Sequence, residues 1–116
     1  MTFQSGPALL DACVLSVLCK GDTYGYVLTQ NVKEVFGISE SSLYPVLRRL
    51  QKSSYLTTYD KTFHGRNRRY YSITPEGKQK LLEYCEEWKE YRSKIDQFLL
   101  GGVLDEPGTV SGETEK

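Results

Sequence analysis

The sequence predicts a mainly α fold with a small β-hairpin: a winged helix-turn-helix domain followed by one long C-terminal dimerisation helix. Three observations predict it. Apolar residues recur at helical spacing in three successive segments before residue 53, with links of only a few residues between them. The period then changes to strand-like alternation around a turn-prone HGRN. A last helical pattern opens at TPEG and runs to a pair of glycines.

Length and composition agree with one domain. The chain has 116 residues, 39% hydrophobic and 12% aromatic, enough for a modest core. Fifteen Lys and Arg balance fifteen Asp and Glu, so the overall charge demands neither nucleic acid nor membrane. The start, MTFQSGPALL, has no charged region followed by a long apolar run, and no apolar stretch approaches the roughly 18 residues of a membrane span, which predicts a cytoplasmic protein without a membrane partner. Cys13, Cys19 and Cys85 form no CxxC pair and number one too many for closed disulfides, so they read as small core residues in a reducing compartment. With His64 as the sole histidine, no spacing suggests a metal, and no cofactor is expected.

The first helix, SGPALLDACVLSVLCKGD, opens at Pro7 and closes at Gly21, which can supply a left-handed end. Leu10, Val14, Val17 and Leu18 form one stripe, and Ala8, Ala12, Leu15 and Cys19 form another on a different side. A short domain cannot bury both. The second helix, TYGYVLTQNVKEVFG, carries Tyr24, Leu28, Val32, Val35 and Phe36 at helical spacing and stops at Gly37. The third, ISESSLYPVLRRLQKSS, places Leu43, Val46, Leu47 and Leu50 on one face. YLTTYDKT and RRYYSIT read as a two-stranded hairpin with a basic tip, His64 to Arg68. Thr74 caps the last helix, with Pro75 at its first position and Glu76 at the positive end of its dipole. At about 1.5 Å per residue it is roughly 40 Å long, more than so small a domain needs. Leu81, Tyr84, Cys85, Trp88, Tyr91, Ile95, Phe98 and Leu99 give it a wide apolar face. The expected units are 1–74 as the winged domain, 75–100 as the dimerisation helix and 103–116 as an acidic, disordered tail.

Pro45 marks the beginning of the third helix, because proline costs little in a first turn and about 3 kcal/mol further in. If Ser42 is the cap, no bond is lost; if the helix starts as early as Ser39, the carbonyl of Ser41 loses its partner and the first turn bends. Either way Ser39, Ser41 and Ser42 crowd a helix N-terminus, where the dipole favours an anion such as phosphate. In a helix-turn-helix the second helix of the unit presents its N-terminal residues to the major groove, and here those are Ser41, Ser42, Tyr44, Pro45 and Arg48. The bland alternative is that the serines only cap and Tyr44 covers an apolar edge. Charge distribution favours the first reading. Between Ser41 and Arg69 there are seven basic residues and one acid, Asp60, which leaves eight basic against fourteen acidic elsewhere. A neutral chain has gathered its positive charge around the recognition helix and wing, as double-stranded DNA requires. Arg66 and Arg68 are the wing contacts expected in or beside the minor groove, while alternation leaves Arg69 undecided.

The stretches TYGYVLTQ, SSLYPVLRRLQKSSYL, GRNRRYYSITPEGK and CEEWKEY resemble the PadR family of bacterial transcriptional regulators, in its small subgroup with a single long C-terminal helix, over about residues 8 to 100. The resemblance implies a homodimeric winged-helix repressor in which the last helix packs against the first helix of a second copy, on a pseudo-palindromic operator with half-sites roughly 34 Å apart. It also implies a site at the dimer centre where Trp88 of each subunit stacks on a planar aromatic effector, walled by Ala8, Asp11, Ala12 and Leu15. A drug-binding relative has a carboxylate one turn after this tryptophan, which suits cationic compounds; here Arg92 stands there, with Glu87 and Glu90 nearby, so this chain departs from the pattern behind that preference. Trp88 could equally anchor a packed dimer core. Two other functions compete with the repressor: a winged helix used for protein contacts, and a small-molecule carrier without a DNA role. An enzyme is not expected, since His64 sits in the wing tip and no Gly-rich phosphate loop precedes a helix.

Overall fold

The structure, a computed structural model, describes residues 6–101. The tail expected to be disordered lies outside the described residues. Seven elements follow in order: α1 (Gly6–Lys20), β1 (Thr23–Tyr24), α2 (Gly25–Phe36), α3 (Glu40–Lys52), β2 (Leu56–Phe63), β3 (Arg66–Ile73) and α4 (Pro75–Leu99). This is the winged helix-turn-helix with a long last helix that the periodicity predicts.

Three differences follow from local chemistry. The sheet has three strands in the order β1-β3-β2, all antiparallel, not two. Thr23 and Tyr24 pair with Tyr71 and Tyr70, so Tyr24 is the residue before α2 instead of part of its apolar stripe. A two-residue strand is too short for alternation to reveal. Val35 is also off the stripe and 76% exposed, while Thr29 takes a core position beside Leu28 and Val32. Gly21 ends α1 with an extended φ of 159°, not the left-handed turn expected, and its N–H bonds the Leu18 carbonyl at 3.1 Å.

The core is a leucine cluster. Leu15, Leu18, Leu28, Leu43, Leu47, Leu50 and Leu56 are all fully buried with Val14, joined by Tyr71 and Tyr84. Each such leucine contributes about 1.5–3 kcal/mol relative to exposure. The cysteines stand apart: Cys19 and Cys85 are exposed and Cys13 is half-buried, so the expectation of core thiols fails.

Two backbone devices fix α3 and α4 against the sheet. At the end of α3 the Tyr55 N–H bonds the Leu50 carbonyl and the Ser54 N–H bonds the Gln51 carbonyl, both at 3.0 Å, with Ser54 left-handed at φ 68°. These are the paired bonds of a Schellman ending, with serine where glycine is usual. At the start of α4 the Thr74 hydroxyl accepts from the Gly77 N–H at 2.9 Å and donates to the Ser54 carbonyl at 2.6 Å. Gly77 lies so close to Tyr55 that a Cβ there would collide with its carbonyl oxygen. That approach explains the glycine in TPEG.

Candidate nucleic-acid interface and aromatic pocket

The first candidate surface begins at the N-terminus of α3. Ser39 is the cap, its hydroxyl accepting from the Ser42 N–H at 3.3 Å. Pro45 is therefore the sixth helical residue, and the second alternative holds: the Ser41 carbonyl loses its partner in the helical ladder. Both residues are exposed, so water can take that carbonyl. The serine hydroxyls engage one another, Ser39 with Ser41 at 3.0 Å and with Ser42 at 3.2 Å. Ser41, Ser42, Tyr44, Pro45 and Arg48 are all exposed, on the side of α3 opposite buried Leu43, Leu47 and Leu50. Helical spacing unites them.

Tyr44 divides two clefts. One, of about 550 Å³, lies between α2 and the start of α3, lined by Thr29, Gln30, Lys33, Ser39, Glu40, Ser41 and Tyr44. The other, of about 460 Å³, lies between α3 and the wing, where Tyr44 meets Tyr71, Asp60, Asn67 and Arg69, with Tyr24, Gly25, Tyr26 and Arg68 completing the wall.

The wing closes in a two-residue turn, His64 at φ 52° and Gly65 at φ 77°, the double left-handed geometry of a type I′ hairpin. Only those two residues form the tip, since Arg66 already pairs with Phe63. Paired residues share a face of the sheet and neighbours along a strand alternate. Asp60, Arg69 and Asn67 thus share the face of buried Tyr71, toward α3. Arg66 and Arg68 take the other face, with Tyr24, Tyr59 and Tyr70. There the Arg68 guanidinium lies between the rings of Tyr24 at 4.4 Å and Phe63 at 4.5 Å. Arg66 is exposed beside the turn. Alternation in the sequence leaves Arg69 undecided; the register puts it in the cleft with Tyr44, joined to Asp60 at 3.4 Å. Pairing each basic residue with its cross-strand partner would have found this, had the turn been located.

Arg49, counted among the basic residues of this surface, is committed inward. Its two terminal nitrogens donate to both carboxylate oxygens of Asp11 on α1, at 2.7 and 2.9 Å. The Tyr84 hydroxyl of α4 donates to the same carboxylate at 3.4 Å. The Asp11 side chain is 6% exposed. Burial, then the negative charge of Asp11, pushes the Tyr84 hydroxyl up to about 12, which keeps it protonated as a donor. The bond from Asp11 also raises Arg49.

The second candidate site is an open pocket of about 530 Å³ between α1 and α4. Leu9, Ala12, Cys13 and Ser16 form one wall; Tyr84, Cys85, Trp88, Lys89 and Arg92 form the other. Each set follows helical spacing. Trp88 is 36% exposed, and its ring lies 6.3 Å from that of Tyr91. Burial pushes the Cys13 thiol up. Of the wall expected from α1, only Ala12 is present. Ala8, Asp11 and Leu15 are buried in the subunit's own core, because the pocket face of α1 is rotated by one residue from the expected set. An acid at position 11 that finds an arginine on α3 turns that side of α1 inward.

Two comparisons bear on these surfaces. Residues 14–83 match the profile of the transcriptional regulator PadR-like family. The chain belongs to the PadR-like family of transcriptional regulators. A crystal structure of a Streptococcus mutans UA159 protein is 36% identical, covering 89% of this chain and 97% of that one, with a TM-score of 0.79. A PadR-like transcriptional regulator from Bacillus cereus is 30% identical over 78% of this chain and 91% of its own, TM-score 0.72. Bacillus subtilis PadR, solved in complex with operator DNA, is 28% identical over 66% of this chain and 46% of its own, TM-score 0.60. This PadR-like chain is accordingly a winged-helix transcriptional regulator, not an enzyme. Among its described residues no helix is long and apolar enough to cross a membrane.

Proposed function

We propose that this PadR-like regulator is a cytoplasmic homodimeric repressor that binds a pseudo-palindromic operator through α3 and the wing, and leaves it when a planar aromatic effector occupies the pocket beside Trp88. The observation that carries the DNA part is the shared exposure of Ser41, Ser42, Tyr44, Pro45 and Arg48 on α3, beside a cleft whose far wall holds Asn67 and Arg69. Tyr44 and Arg48 reach base edges or adjacent phosphates, Ser41 and Ser42 hold phosphates, and Arg66 and Arg68 flank the minor groove. Residues 1–74 act as the DNA-binding unit and 75–100 as the dimerisation helix. Support for the dimer comes from α4, where Phe98 and Leu99 are 76% and 60% exposed and lack cover from their own subunit.

The effector part rests on the Trp88 pocket. Among the described residues its walls contain Lys89 and Arg92 and no carboxylate, which favours anionic planar aromatics over cationic ones. Release requires the effector to prefer the DNA-incompetent geometry, since equal affinity shifts nothing.

The test is fluorescence anisotropy with duplexes from upstream of the protein's own gene at several salt concentrations. The expected result is dimeric binding with a steep salt slope. Arg48→Ala costs about 1–3 kcal/mol on the operator alone, whereas Ser41→Ala weakens every duplex alike. A monomer at micromolar concentration, or salt-independent binding, would falsify the repressor reading.

A further inference from the structure

The carboxylate of Asp11 joins three helices that must act together. It lies on α1, holds the recognition helix through a two-pronged bond to Arg49 at 2.7 and 2.9 Å, and accepts from Tyr84 of α4 at 3.4 Å. Tyr84 is also a wall of the Trp88 pocket, one helical turn before the tryptophan on the same face. One side chain therefore touches both the space for an effector and the ion pair that holds α3.

We infer that Tyr84, Asp11 and Arg49 form the junction through which the Trp88 pocket controls the recognition helix, and that Arg49 is a positioning residue and not a DNA contact. The inference rests on the repressor reading above and names the regulation of its two sites.

The physical argument starts from burial. An almost fully buried carboxylate is tolerated only with charge-assisted partners, so Asp11 cannot release Arg49 cheaply. The two parallel bonds fix both the distance and the plane of the guanidinium, which a single-point contact would not. Arg49 follows Arg48 directly in the sequence, so a turn of α3 about its axis that loosens the pair also re-aims Arg48. The Tyr84 bond is the weak member at 3.4 Å, and it is the one a ligand can reach. A planar ring wedged against Trp88 displaces Tyr84 and takes that donor from Asp11; the Asp11–Arg49 pair stays closed, but α1 and α3 lose their shared tie to α4 and shift together relative to it.

The test uses the full-length protein, its operator duplex, and 8-anilinonaphthalene-1-sulfonate as an anionic planar probe, with three readouts: operator affinity, its salt slope, and quenching of Trp88. Arg49→Gln lowers operator affinity on the order of tenfold at an unchanged salt slope, whereas loss of a phosphate contact lowers the slope by about one. A reduced slope overturns the inference for Arg49. Tyr84→Phe keeps the ring and removes the donor; it is compared with wild type at probe concentrations that give equal Trp88 quenching. In wild type the probe weakens operator binding by about 5-fold or more, and in Tyr84→Phe that factor falls toward one. An equal factor in both proteins overturns the junction while leaving the repressor reading intact. A wild type that binds operator and probe without any change in affinity refutes the effector reading together with the pocket end of the junction. Should Arg49→Gln unfold, Tyr84→Phe decides alone.

Discussion

Replacing Gly77 by alanine tests whether the approach of α4 to the sheet is as tight as it looks. On helix propensity alone the change should stabilise, by up to about 1 kcal/mol. The surroundings oppose it. A Cβ at 77 would collide with the Tyr55 carbonyl oxygen and sit 2.8 Å from Ile73 Cγ1. The backbone neighbour cannot yield freely: the Tyr55 carbonyl accepts from the Thr74 N–H at 3.1 Å, and the adjoining Ser54 carbonyl accepts from the Thr74 hydroxyl at 2.6 Å. Overpacking costs about 1–3 kcal/mol and two strained bonds about 0.5–1.5 kcal/mol each, so the net loss is about 3 kcal/mol after the propensity gain. Urea unfolding followed by far-UV circular dichroism, at one fixed protein concentration because a dimer's stability depends on it, reads this directly. A thermal melt at the same concentration should show Tm lowered by roughly 10 °C or more. An alanine variant as stable as wild type, with α4 still helical, would refute the argument that backbone contact chose the glycine.

Three further outcomes follow from particular residues. Ser54→Gly relieves a left-handed serine at the end of α3 and should raise stability by about 0.5–1 kcal/mol in the same urea assay, with DNA affinity unchanged. Arg69→Ala removes a cation from the cleft beside Tyr44 and should lower the salt slope of operator binding by about one; an unchanged slope would take Arg69 off the interface. Tyr84 has a folded value of about 12 above an ordinary value of 10, so the unfolded chain loses this proton first. The contribution is complete below pH 10 and is lost as pH rises from 10 to about 12. Tyr84→Phe should flatten that part of the alkaline unfolding profile.

Much of the fold was legible because period and punctuation agree. Leu43, Leu47 and Leu50 sit on one side of α3 and are buried, Gly37 ends α2, and Thr74 with Pro75 opens α4. What escaped was local or depended on distant partners. β1 is two residues long and shows itself only through its pairing with β3. The start of α3 could be narrowed to Ser39 or Ser42, since both are good caps, and only the bond from the Ser42 N–H to the Ser39 hydroxyl decides it. The faces of Arg68 and Arg69 depend on where the hairpin turns, and a shift by one residue exchanges them.

A similar question of register arises on α1. A helix apolar on most sides does not reveal which stripe serves its own subunit. The deciding residue is charged: Asp11 cannot face a ligand pocket while both its oxygens are held by Arg49, 38 positions away in sequence. Once that pair is formed, Ala8 and Leu15 turn inward with it, and the small residues Ala12, Cys13 and Ser16 are left opposite Trp88. Their size is what leaves room beside the indole, so the pocket and the ion pair are two consequences of a single rotation of α1.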